Sequence, residues 1–255
     1  MVCTRVRVLI VLGSALIIGA LSTTTSVASA THLNSRHPSR IISLSPTATE
    51  VLFAIGAGHQ VVAVDGDSDY PKNAPRTSLS GLEPNLEAIA RYRPQLVVIS
   101  YNPNNLEKSL ERLGISVLFQ DAPASLSGTY SQIERLGEIT GHVNAARSLV
   151  ERMRREIAAA VRTAPHFAKV PTYYYELDQT EYSVTSSTFI GRLVKMFGLR
   201  DIADAAKGAS SGYPQLSTEY IVKSNPSLIF LADTICCHQS LTTLAKRPGF
   251  RAMSA

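Results

Sequence analysis

Residues 84–100, PNLEAIARYRPQLVVIS, return in altered form at 216–232 as LSTEYIVKSNPSLIFLA. Each copy sets a glutamate, Glu87 or Glu219, at the start of a short helical run, with an isoleucine two residues on, Ile89 or Ile221. A proline follows, Pro94 or Pro226, and then a leucine, Leu96 or Leu228, opens an apolar strand. Proline disfavours helix in the residue before it and has no N–H to give, so it stops the helix. The runs Leu-Val-Val-Ile and Leu-Ile-Phe-Leu read as fully buried strands. One helix–stop–strand unit used twice predicts two similar lobes with a ligand cleft between them.

Outward from the first copy the pattern alternates. Strands are expected at Ile41–Leu44, Val61–Asp65, Leu96–Ser100 and Ser116–Gln120, with helices at Thr47–Ala57, Asn85–Arg93, Asn104–Leu113 and Ser127–Thr140. That alternation predicts a parallel sheet with helices on both faces. Thr47 and Glu50 have the spacing of a capping box at the first helix start, and Gly56 and Gly58 mark its end. Then Val143, Ala146, Val150, Met153, Ile157 and Val161 step by three or four, one apolar stripe along a single long helix. Its opposite face carries Glu151, Arg152, Arg154, Arg155 and Glu156, read as a solvated face.

Outward from the second copy the elements are strand Pro171–Leu177, a short strand Tyr182–Thr185, helix Phe189–Phe197, helix Ser217–Ser224, strand Leu228–Asp233 and a helical piece Leu241–Ala245. The fold expected is α/β: two Rossmann-like lobes joined by one backbone helix. The divisions are 1–30 signal peptide, 31–39 flexible arm, 40–141 first lobe, 142–164 linking helix and 165–255 second lobe. With its last clear strand so close to Ala255, the second lobe is expected to be smaller than the first or truncated.

At 255 residues and 45% apolar composition the chain can build two ordinary cores. Arg5 and Arg7 precede a mostly apolar run, Val8–Leu21, and Ala28-Ser29-Ala30 supplies an A-x-A cleavage pattern, so the chain reads as exported. Cys3 precedes the apolar run and no cysteine stands where a lipoprotein is lipidated, so no lipid anchor is expected. Removing residues 1–30 takes two of the 25 basic residues and none of the 20 acidic ones, leaving a net charge of +3. So mild an excess, with no basic run interleaved with aromatics, gives no argument for nucleic acid.

Enzyme readings find little support. Ser45-Pro46-Thr47 stands where a dinucleotide fold would carry G-x-G-x-x-G, and no G-x-S-x-G elbow occurs. Asp65, Asp67 and Asp69 alternate like metal ligands, but the Gly and Glu of a calcium loop are missing, and these acids are expected to shape a turn. Cys236, Cys237 and His238 cannot by themselves surround a zinc ion tetrahedrally. The pair reads as two half-buried thiols at a strand end, able to oxidise only through a strained eight-membered ring. No cofactor and no metal site are expected.

Several segments in this order resemble the substrate-binding proteins of ABC importers of the helical-backbone type, which take up cobalamin, ferric siderophores and haem. They are Leu44-Ser45-Pro46-Thr47-Ala48-Thr49-Glu50, Ser68-Asp69-Tyr70-Pro71, Asn85-Leu86-Glu87 with Arg93-Pro94-Gln95-Leu96-Val97, the long helix, and Tyr213-Pro214-Gln215-Leu216-Ser217 before Glu219. The resemblance runs from Arg40 to the C-terminus, and the Ser-Asp-Tyr-Pro and Tyr-Pro-Gln-Leu-Ser segments are most similar to the cobalamin-binding branch. It implies a monomer in the periplasm or cell-envelope space that captures cobalamin, another corrinoid or an iron chelate and delivers it to a permease dimer. Glu87 and Glu219 are implied as the docking carboxylates, one per lobe. Tyr101 and Tyr213 are implied as the ring-stacking residues, with Asp67, Tyr70, Gly81 and Tyr182 as further ligand contacts. The chain has no tryptophan, so haem and ferric siderophores stay open as ligands, as does an exported ligand-binding scaffold without a transporter. The family has further strand and helix elements past the equivalent of Phe250. Tyr173, Tyr174 and Tyr175 are read as strand packing.

Overall fold

Five parallel strands order the first lobe around the strand made first. The computed structural model describes residues 37–253 and 255; the signal-peptide reading and most of the expected 31–39 arm lie outside the described residues. In chain order the first lobe holds β1 (Ile41–Leu44), α1 (Pro46–Ala54), β2 (Val61–Asp65), β3 (Arg76–Leu79), α2 (Leu86–Arg91), β4 (Leu96–Ile99), α3 (Leu106–Glu111), β5 (Ser116–Phe119) and α4 (Leu126–Thr140). The sheet order is β3-β2-β1-β4-β5, and every pairing is parallel. Both faces are covered. Ile41, Val64, Leu96 and Val98 pack with residues of α1 and α4, while Ile42, Leu44, Ala63, Val97 and Ile99 pack on the other face with residues of α2 and α3. Burial on two faces is why β1 and β4 are uninterrupted apolar runs.

The start of α1 corrects one expectation. Pro46 occupies the first helical turn, so the cap falls back to Ser45, whose hydroxyl accepts the Ala48 N–H at 3.3 Å. The Thr47–Glu50 spacing is therefore inside the helix and makes no capping box. Proline suits that first position because the N–H it lacks would have had no partner there.

α5 (Val143–Thr163) is a helix of 21 residues. It begins against α4, where a Cβ on Gly137 would stand 2.4 Å from the Ala146 Cβ, so only glycine allows this approach. Its apolar stripe is fully buried only in the first half, at Ala146 and Val150. The charged face is exposed as expected, and Arg154 lies 4.5 Å over the Tyr130 ring.

The second lobe contains β6 (Thr172–Glu176), α6 (Phe189–Lys195), β7 (Arg200–Asp201), α7 (Thr218–Ser224), β8 (Leu228–Leu231) and α8 (Leu241–Leu244). Its sheet is parallel, in the order β7-β6-β8. Two expectations fail here. The segment Tyr182–Thr185 is no strand: it makes one antiparallel bridge, Tyr182 to Gln215. Ser183 and Thr185 donate to the carbonyls of Pro214 and Gly212, but Pro214 has no N–H to return and the ladder stops. Nor is β8 fully buried. It is an edge strand, so Ile229 and Leu231 pack into the core with Ile221, Leu244 and Phe250 while Leu228 and Phe230 stay exposed on the other face.

The duplicated unit survives in detail. Asn85 caps α2 by accepting the Ala88 N–H, and Ser217 caps α7 by accepting that of Tyr220. Ile89 and Ile221 are both fully buried. Each helix ends on a left-handed residue just before its proline, Arg93 at φ 48° and Asn225 at φ 41°, because proline denies that residue the helical conformation. Each following strand then lies parallel beside the first strand of its own lobe, β4 on β1 and β8 on β6.

Asp201 gives a stability prediction. It is buried beside β6, where one oxygen accepts the Ala203 N–H at 2.9 Å and the Tyr173 hydroxyl stands near the carboxylate. Burial pushes its carboxyl up to about 6. The folded state therefore binds this proton more tightly than the unfolded chain, and the resulting stability is present below about pH 4 and lost as pH rises through 6. Asp201→Asn should flatten that fall and stabilise the protein at pH 7 by on the order of 1–2 kcal/mol, after discounting for solvent screening. Urea unfolding at pH 4.5 and pH 7 checks it; an equal gap between the two chains at both pH values would sink the idea.

Candidate functional site

In open parallel sheets the residues just past the carboxyl ends of the strands line the ligand crevice. In the first lobe these are Ser45 after β1, Asp65 to Tyr70 after β2, Gly81 after β3, Ser100 and Tyr101 after β4, and Gln120 after β5. A chain of buried hydroxyls fixes this rim from within. Ser68, Thr49 and Ser43 follow one another at 2.9 Å steps, and Ser43 donates to the Ser45 carbonyl at 3.1 Å. Asp65 accepts the Ser68 N–H at 2.9 Å, which is the turn-shaping role expected of that acid. Burial holds its carboxyl above the ordinary range.

The loop past β2 then exposes Asp67 and Tyr70, the latter 62% exposed and followed by a cis peptide to Pro71. Gly81 serves packing: a Cβ there would stand 2.6 Å from the Leu44 carbonyl and 3.3 Å from the Asp65 carboxylate. Tyr101 is exposed directly after β4. Sequence reasoning missed a cavity of about 350 Å³ at the ends of β1, β4 and β5, lined by Ser45, Thr47, Ser100, Gln120, Asp121 and Gln132 among others. Ser100 and Gln120 closed the predicted strands, and that terminal position was the available signal.

In the second lobe Tyr182 and Tyr213 stand on two adjacent backbone segments. The segments 181–185 and 212–216 run side by side through Ser183 N–H to the Pro214 carbonyl, Thr185 N–H to Gly212 and Leu216 N–H to Glu181. Both tyrosines are exposed, at 41% and 49%. Glu181, held at φ 64°, accepts the Thr218 hydroxyl at 2.6 Å, so this ribbon is tied to the first turn of α7. Glu219 sits in that same turn, and Glu87 in the first turn of α2; both side chains are exposed.

What the site offers is exposed phenol rings on both lobes, Tyr70 and Tyr101 on the first and Tyr182 and Tyr213 on the second, with hydroxyl, amide and carboxylate groups added on the first. Among the described residues no group of three or more His, Cys, Asp or Glu side chains is placed to hold a metal ion, and no helix is long and apolar enough to cross a membrane.

A family model described as "Periplasmic binding protein" matches residues 41–255. The chain is 32% identical over 198 residues to a cobalamin-binding protein of Halobacterium salinarum, covering 75% of this chain and 53% of the relative. It thus spans about half the length of that relative. Among solved structures, a possible iron-binding (periplasmic solute-binding) protein of Staphylococcus epidermidis superposes with a TM-score of 0.76 at 24% identity, over 86% of this chain and 87% of the other. A periplasmic heme binding protein of Vibrio cholerae gives 0.73 at 21% identity, over 85% of each chain. The two structural likenesses are of fold: two α/β lobes and their connecting helix.

Proposed function

Because the chain belongs to the periplasmic binding protein family, we propose that it is the exported substrate-binding component of an ABC importer, capturing cobalamin or a related corrinoid for a permease dimer. One observation carries the docking half of this reading. The duplicated unit places Glu87 and Glu219 at the same turn of equivalent capped helices, both exposed. A dimeric permease offers its contact surface twice, and matched carboxylates on two lobes answer that symmetry.

For the ligand half, Tyr101, Tyr182 and Tyr213 supply exposed rings past the strand ends. Each is able to stack on a flat macrocycle for about 0.5–1.5 kcal/mol beyond area burial. Asp67 and Tyr70 extend the first-lobe rim. The similarity to a cobalamin-binding relative supports a corrinoid. Haem is the second reading, favoured by the exposed phenols of Tyr182 and Tyr213 on adjacent backbone segments, since a phenol oxygen can ligate iron. On either reading the protein binds and releases its ligand without chemistry, as a monomer, and the long α5 keeps lobe closure small.

Calorimetric titration of the folded protein with cobalamin, cobinamide, haem and a set of ferric siderophores tests the ligand. Saturable one-to-one binding of cobalamin is expected. Binding of haem alone transfers the assignment to the second reading, and silence from a folded sample rejects both.

A further inference from the structure

The loop leaving β8 holds two adjacent thiols that transport does not use. Cys236 is exposed and Cys237 half-buried, and their Sγ atoms lie 2.7 Å apart. The loop is tied from both sides. The Asp233 carbonyl accepts the Cys237 N–H at 3.1 Å and the Gln239 N–H at 3.4 Å, and the Cys236 thiol approaches the same oxygen at 3.8 Å. From the exit of β6, Gln179 Nε2 donates to the Cys237 carbonyl at 3.2 Å. The Asp233 side chain is fully buried, and neither carboxylate oxygen has a hydrogen-bond partner among the described residues. A fixed backbone, two sulfurs in contact and an open buried carboxylate three residues away make this loop more than an accidental pair.

We infer that Cys236 and Cys237 form a reversible two-electron modification site that reacts with low-molecular-weight disulfides and closes to a vicinal disulfide. The Cys236 thiolate attacks one sulfur of a reagent R–S–S–R and expels R–S⁻, which takes the proton that Cys236 released. The Cys237 sulfur then attacks Cys236 Sγ, gives up its proton, and the second reagent sulfur leaves as R–SH. Two protein thiols are oxidised and one reagent disulfide is reduced to two thiols.

The order of events follows from the site. Its hydrogen bond to Cys236, together with partial burial and the nearby Asp233 and Asp178 carboxylates, pushes the Cys237 thiol up to about 11. The more exposed Cys236 is the sulfur a reagent reaches first, and Cys237 is the one that closes the ring. The eight-membered ring of adjacent cysteines is strained. Strained, exposed disulfides are readily reduced, so the modification reverses in a thiol buffer.

The test treats the full chain with glutathione disulfide, blocks the remaining thiols, digests with trypsin and weighs the peptide Ser224–Lys246; Cys3 falls on a separate peptide, Met1–Arg5. Expected is the loss of two hydrogens across Cys236–Cys237 with no retained glutathione, reversed by dithiothreitol. Cys237→Ser should stop with one glutathione on Cys236, while Cys236→Ser should react about tenfold more slowly or less. Should a serine variant lose the parent circular dichroism, alanine at the same position repeats the comparison. Stable glutathione on the unchanged chain, faster reaction at Cys237 than at Cys236, disulfide-linked dimers through these residues, or no reaction would each overturn the inference. None of these outcomes depends on which ligand the protein carries.

Discussion

Arg247→Met is expected to lower the stability of the second lobe by about 3–5 kcal/mol, the usual consequence of removing one partner from a buried ion pair. Glu176 ends β6 with no exposed surface, and Arg247 meets it with both guanidinium nitrogens at 2.6 and 2.7 Å. Tyr174 adds its hydroxyl at 3.1 Å, and Gln239 accepts from Arg247 at 3.1 Å. This clamp fastens the segment after α8 to the central strand of its sheet. Without Arg247 the carboxylate is left charged and buried. Combining Arg247→Met with Glu176→Gln removes the stranded charge and keeps an acceptor for Tyr174, so more than half of the loss should return. Urea unfolding of the parent, single and double variants decides it; a single variant with an unchanged midpoint would show that the pair carries no net stability.

Reversing both carboxylates proposed for docking, Glu87→Arg with Glu219→Arg, should abolish delivery while leaving ligand affinity intact. Each charge lost from a desolvated interfacial pair costs about 2–5 kcal/mol, so two reversals weaken docking by at least on the order of a thousandfold. The effect on folding is small by comparison, about 0.3–1 kcal/mol for each acid removed from a helix first turn. Uptake of labelled cobalamin by cells in which this chain is the sole binding component measures delivery, and calorimetry measures affinity. Undiminished uptake by the double variant would show that these two carboxylates do not carry docking, whereas a parent chain that binds ligand but supports no uptake would favour a scaffold that only holds its ligand.

The first lobe was largely legible because β1, β2, β4 and β5 depend on runs whose neighbours in the sheet are also runs. β3 escaped notice: Arg76-Thr77-Ser78-Leu79 is an outer strand with one buried side chain, and an outer strand needs no apolar pattern. β7 has only two residues, and its buried member is an aspartate. The reverse error came at β8, where an apolar run suggested burial that an edge position does not supply. Of the nominated rim residues, Tyr182 and Tyr213 are brought onto one ribbon by hydrogen bonds between backbone segments about thirty residues apart. No local pattern announces such a contact. Ser100, Gln120 and Gln132 converge on the first-lobe cavity in the same way.

The two sheets also take their strands from stretches that never overlap, Ile41 to Phe119 for one and Thr172 to Leu231 for the other. In each, the earliest strand ends up inside the sheet, with later ones added on either side. A chain emerging from its N-terminal end can therefore assemble outward as it lengthens, since domains generally fold as units in the order they are made. By the time Thr163 has appeared, the first sheet possesses all five strands found in it among the described residues, and both of its covering layers. Among the described residues no later strand threads back into the earlier sheet, so a stall at the end of α5 leaves none of its five strands waiting for a partner still to be synthesised.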